Sequence, residues 1–147
     1  MKIHSLLYPI PLLAAIAISL AFLPGHNEPW TADQLLAPSD LAHTLQTSDA
    51  VQPVIYSVGP GAVIKGSIDI GPTQQKENLK KLEEKLGSLP KDSPIVIYCG
   101  CCPFNKCPNI RPAFTLLNDM GFKNHKLLNL SQNVKTNWID QGYPVNE

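Results

Sequence analysis

All four cysteines of this chain, Cys99, Cys101, Cys102 and Cys107, fall within nine residues, and its sole arginine, Arg111, follows four positions later. The stretch reads IVIYCGCCPFNKCPNIRPAF, an apolar run, a thiol-rich loop and the start of a helical pattern. A thiol attacks or ligates only as thiolate, and a helix N-terminus or a guanidinium stabilises that anion. The same donors hold an oxyanion or a sulfur-bearing anion. The layout therefore suits a nucleophilic cysteine acting on an anionic substrate. Two other chemistries fit the same residues. Cys99-x-Cys101-Cys102-x4-Cys107 supplies four soft ligands for copper or zinc, although the loop has no histidine and lacks the paired Cys-x-x-Cys of a zinc knuckle. Alternatively, the loop is closed by disulfides as a non-catalytic binding module, and four cysteines allow three complete pairings.

The elements that must position this loop follow from pattern. Pro38-Ser39 opens a short helix with Ser39 as N-cap and Leu41, Ala42 and Leu45 on one face. Pro53–Val58 reads as a strand, and residues 62–72 as a short irregular or edge strand punctuated by glycine and proline. From Thr73, Leu79, Leu82, Leu86 and Leu89 recur at helical steps until Pro90. Pro94–Tyr98 is apolar throughout, as a central strand covered on both faces requires. After the cysteine loop, Pro112 suits the first turn of a helix running to Met120, which puts Arg111 at or near its N-cap. Lys126–Leu130 is a further strand, and Ser131 caps a short helix carrying Trp138. Alternating strands and helices predict an α/β fold: a parallel sheet of four to five strands with helices on both faces. Ligands of such sheets bind beyond the carboxyl ends of the strands, where Cys99 stands. His43 and His125 read as surface residues, and Trp138 and Tyr143 as packing groups.

Composition narrows the setting. The chain has 147 residues, enough for one domain. Lys2 and His4 precede a mostly apolar run from Leu6 to Leu23, and Ser19-Leu20-Ala21 offers small residues for a peptidase. Residues 1–21 are therefore expected to be a signal peptide, 22–37 a spacer and 38–147 the domain. An uncleaved N-terminal anchor is the alternative, and it is the only membrane contact expected. Loss of Lys2 leaves eleven basic side chains against twelve acidic ones. That near-neutral balance, without a basic patch, argues against nucleic acid. Location outside the cytoplasm, periplasmic or secreted, would expose the thiols to oxidation unless a reductant or metal protects them.

The order resembles the rhodanese-like family from about Pro38 to Pro144. Tyr98-Cys99, then RPAFTLLNDMGF from Arg111 to Phe122, then KLLNL, then NWIDQGYP carry the likeness. The resemblance implies a rhodanese-like α/β fold and sulfur transfer through a cysteine persulfide, with no cofactor. A small sulfur-containing anion would be the donor and a thiol the acceptor. Carried over, Cys99 is the favoured nucleophile and Arg111 the anion-orienting group. Cys107 is the favoured resolving thiol and the alternative nucleophile. Gly100, Cys101, Cys102, Lys106 and Asn109 would line the substrate. The chain departs from the family in two places. Arg111 stands twelve positions after Cys99, in a longer loop with extra cysteines, and Ser57-Val58-Gly59 replaces the family's Asp-Val-Arg.

Overall fold

The apolar run before the cysteines forms β4 (Ile95–Tyr98), every residue of which is buried. A computed structural model describes residues 28–147, so the expected signal segment 1–21 and the first part of the expected spacer lie outside the described residues. Around β4 stand β1 (Leu35–Leu36), β2 (Val54–Ser57), β3 (Ile68–Asp69) and β5 (His125–Leu128). The five strands form one sheet in the order β1-β5-β4-β2-β3, and all paired neighbours are parallel. The α/β architecture expected from the alternation is therefore present.

The two-residue period of a strand sorts β4 between two cores. Ile95, Ile97 and Cys99 face one side, where α2 (Lys76–Gly87) contributes Leu82 and Leu86 and α3 (Ile110–Asp119) contributes Ile110, Ala113, Phe114 and Leu117. Val96 and Tyr98 face the other, with Leu41 and Ala42 of α1 (Pro38–Gln46) and with Trp138. Cys99 thus continues the strand's alternation into the layer beneath α2 and α3.

Several boundaries differ from the sequence reading. Helix α1 takes Pro38 at its first position and Ala37 as N-cap, in place of Ser39. Helix α3 begins at Ile110, so Arg111 is its second residue and Asn109 its N-cap. Pro112 still falls in the first turn, where its missing N–H costs no helical bond. Trp138 sits on a single wide turn, Lys135–Ile139, closed by Asp140 N–H donating to the Lys135 carbonyl at 2.8 Å. His125, expected at the surface, is 3% exposed because it begins a central strand and lies against Phe114. Residues 28–37, expected as part of a spacer, are docked. Trp30 is buried among Phe104 and Phe114, and β1 adds an edge strand to the sheet.

Beyond β2, the loop to β3 is organised by one hydroxyl. Tyr98 Oη accepts from Val63 N–H at 2.9 Å and Ile64 N–H at 3.2 Å, and contacts Ser67 Oγ at 3.1 Å. Removing it strands buried donors, which costs about 1–3 kcal/mol. Tyr98→Phe is expected to lower unfolding free energy by that amount in urea titration, with the sheet retained. An unchanged midpoint would show that the loop is anchored elsewhere.

Candidate functional site

The loop after β4 is pinned on both sides. Gly100 carbonyl accepts from Val134 N–H at 2.9 Å, and Phe104 N–H donates to the Leu130 carbonyl at 3.0 Å. A single tight turn, Phe104–Lys106, then delivers Cys107 to the start of α3. These anchors fold the loop back over its own origin. Cysteines eight positions apart in sequence become neighbours.

The four Sγ atoms of Cys99, Cys101, Cys102 and Cys107 all lie within 4.8 Å of one another. Cys99–Cys101 and Cys101–Cys102 are each separated by 3.4 Å, and all four are free thiols. Cys99 and Cys107 are buried, Cys102 is half-buried and Cys101 is exposed. The cluster is therefore a cup with a closed floor and one sulfur at the rim.

Crowded sulfurs resist ionisation together. The neighbouring Cys107 thiol and then burial push the Cys99 thiol far above the ordinary range. The Cys101 amide and the Asn109 side chain oppose that shift without overcoming it. Burial and then Cys101 push Cys102 up to about 11, and burial also raises Cys101. Without a cation, Cys99, Cys101 and Cys102 are mainly neutral thiols at pH 7.

Asn109 is the polar residue that touches the floor. Its Nδ2 donates to Cys99 Sγ at 3.6 Å, its Oδ1 accepts from Gln74 N–H at 3.2 Å, and its carbonyl accepts from Thr73 Oγ1 at 2.6 Å. The loop before α2 thereby fixes the amide against the sulfur. Lys106 is exposed, and none of the described hydrogen bonds ties its ammonium to the cluster.

Arg111 is placed otherwise than the sequence suggested. Its Nη2 donates to Glu28 Oε1 at 2.6 Å and to the Asn105 carbonyl at 3.0 Å, and its guanidinium lies over the Trp30 ring at 5.6 Å. Among the described residues it makes no hydrogen bond to a cysteine. The helix start reaches Cys99 through Asn109, while the arginine is spent on the segment preceding β1. The guanidinium expected to orient an anion is paired with the Glu28 carboxylate.

Two glycines make room here: Gly59 for the Cys99 sulfur and Gly100, expected to line the substrate, for the Val134 side chain that anchors the loop. A Cβ on Gly59 would stand 2.6 Å from Cys99 Sγ, and one on Gly100 would stand 2.9 Å from Val134 Cγ1. Gly59 thus leaves the space that the Cys99 sulfur fills.

No protein-family model matches the chain, and no curated protein matches it. Among solved structures it is similar to two complexes of EanB cysteine variants with hercynine, each at 14% identity and a TM-score of 0.55. Each match covers 78% of this chain and 27% of the other, so the chain spans about a quarter of their length. At that identity the likeness shows a shared fold.

Gly59→Ala is expected to destabilise the protein by about 1–3 kcal/mol, the usual cost of overpacking. In a Cys99→Ala background most of that penalty should vanish, because the sulfur it strikes is gone. Denaturant unfolding of the wild type and the three variants closes the cycle. An undiminished penalty in the double variant would place the clash elsewhere.

Proposed function

We propose that this protein binds one soft metal ion, Zn²⁺ or Cu⁺, through the thiolates of Cys99, Cys101, Cys102 and Cys107. The observation that carries the reading is the mutual approach of four sulfurs to within 4.8 Å. A tetrahedral zinc site with Zn–S near 2.3 Å has sulfurs about 3.8 Å apart. The closest pairs here, at 3.4 Å, need only open slightly, and the widest need close by about 1 Å. An all-thiolate donor set selects copper, zinc and similarly soft ions over magnesium or calcium.

Electrostatics supports the same reading. Four crowded thiols that repel one another's charge become favourable ligands once a cation stands between them. Asn109 acts as an outer partner, donating to the Cys99 sulfur and spreading its charge. Exposed Cys101 gives the ion a way in. The reading is compatible with export, because bound metal protects thiols from oxidation.

Sulfur transfer is the second reading, favoured by the 3.4 Å approach of Cys101 to Cys99 at the strand end and by the rhodanese-like order of motifs. Cys99 thiolate would attack the outer sulfur of thiosulfate and release sulfite, leaving Cys99–S–S⁻. Cys101 thiolate would then attack the inner sulfur, forming a Cys99–Cys101 disulfide and expelling hydrosulfide after protonation. Burial of Cys99 and the engagement of Arg111 by Glu28 weigh against it.

Titrating the reduced protein with Co²⁺ and then Zn²⁺ tests the first reading. One equivalent should bind, with thiolate-to-cobalt charge-transfer absorption that zinc abolishes. Cys107→Ser should weaken zinc at least about a hundredfold, beyond what loss of an outer partner costs. Failure to bind, or binding unaffected by Cys107→Ser, would dismiss the metal site. A gain of one sulfur atom on Cys99 after incubation with thiosulfate would favour the second reading.

Acidity should act in one direction. Cys99, Cys101 and Cys102 hold their protons above the ordinary thiol value, so metal must displace at least those three. Apparent zinc affinity should then fall by about a thousandfold for each pH unit below neutrality. Chelator competition at several pH values measures the slope. A flat profile would contradict ligation by these thiols.

A further inference from the structure

The segment leading into β1 does more than add an edge to the sheet. Trp30 meets Phe104 at 6.1 Å and Phe114 at 5.8 Å between ring centroids, so it touches both the turn before Cys107 and helix α3. Arg111 joins the same parts by polar contacts, with Glu28 on one side and the Asn105 carbonyl on the other. Phe104 and Asn105 belong to the turn whose next residue is Cys107. The Pro29 carbonyl accepts from Asn118 Nδ2 at 2.8 Å, which ties the segment to the far end of α3. Further along, Gln34 meets His125 at 3.3 Å and Lys126 Nζ donates to the Asp33 carbonyl at 2.7 Å.

We propose that residues 28–30 form a strap that holds the cysteine loop closed, with Glu28 and Trp30 as positioning residues acting through Arg111 and Phe104. The strap sets how far Cys107 and Cys102 can swing from the other two sulfurs. That governs both the access of reagents to the thiols and the fit of a metal. The effect on metal rests on the four-thiolate reading above; the effect on thiol access does not. The arginine's role then becomes clear. Its charge is neutralised by a carboxylate of the same chain, and its second hydrogen bond clamps a loop carbonyl. Cutting the strap releases the clamp without altering any sulfur.

Two readouts on full-length protein keep the claims apart. The first is iodoacetamide labelling of the reduced, metal-free protein, mapped by peptide mass. The second is the charge-transfer spectrum and affinity of bound Co²⁺. Glu28→Gln should speed labelling of Cys107 and Cys102 about fivefold, the upper range for a half-exposed ion pair, and shift the cobalt spectrum. Trp30→Ala should do the same more strongly. Lys126→Ala, which cuts the segment's attachment at Asp33 and leaves the bridge intact, should label at the wild-type rate. If Trp30→Ala fails to fold, Glu28→Gln still decides. Labelling in Glu28→Gln at the wild-type rate would overturn the strap, as would equal acceleration in Lys126→Ala. Accelerated labelling in a protein that takes up no cobalt would sustain the strap and dismiss the metal reading.

Discussion

Four ionisable sulfurs held within 4.8 Å cannot all carry charge unless a cation stands among them. The local structure answers to that constraint. The Cys107 thiol and then burial hold Cys99 in the thiol form, and burial first and a neighbouring thiol second do the same for Cys101 and Cys102. A lone reactive cysteine needs the reverse, an electropositive surrounding that lowers its pKa. The difference between these two electrostatic arrangements separates a metal cup from a nucleophile. The one arginine, a charge that could favour a nucleophile, is paired with Glu28.

The sheet makes the crowding possible. β4 places Cys99 in register with Ile95 and Ile97, so its sulfur enters the layer between sheet and helices. Gly59, at the end of the neighbouring β2 segment, withholds a side chain from that space. Anchors at Val134 and Leu130 bend the loop back, and Asn109 seats the helix start against the first sulfur. The contacts converge from the ends of β2, β4 and β5 and from the start of α3, at the carboxyl edge where sites of parallel α/β sheets usually lie.

Much of this was legible in the residues. The apolar run at Pro94–Tyr98, the leucine spacing of α2 and the sequence of strands and helices give the sheet and its layers, because burial on both faces leaves a continuous apolar signal. The cysteine spacing marks the site. The direction of Arg111 was not legible, since it depends on Glu28, which is 83 positions away in sequence. A tryptophan in a proline-bearing stretch was the available hint that residues 28–30 pack instead of linking. Gly59 was read only as a departure, and its packing role was missed because a residue that acts by having no side chain leaves no chemical signature. His125 was misplaced because only its position at the start of β5 decides its burial.

X-ray absorption at the metal edge of the zinc-loaded protein tests the central claim most directly. Four sulfur neighbours at about 2.3 Å are expected, with no nitrogen or oxygen in the shell. A shell of mixed light atoms, or a protein that retains no zinc after desalting, would contradict it.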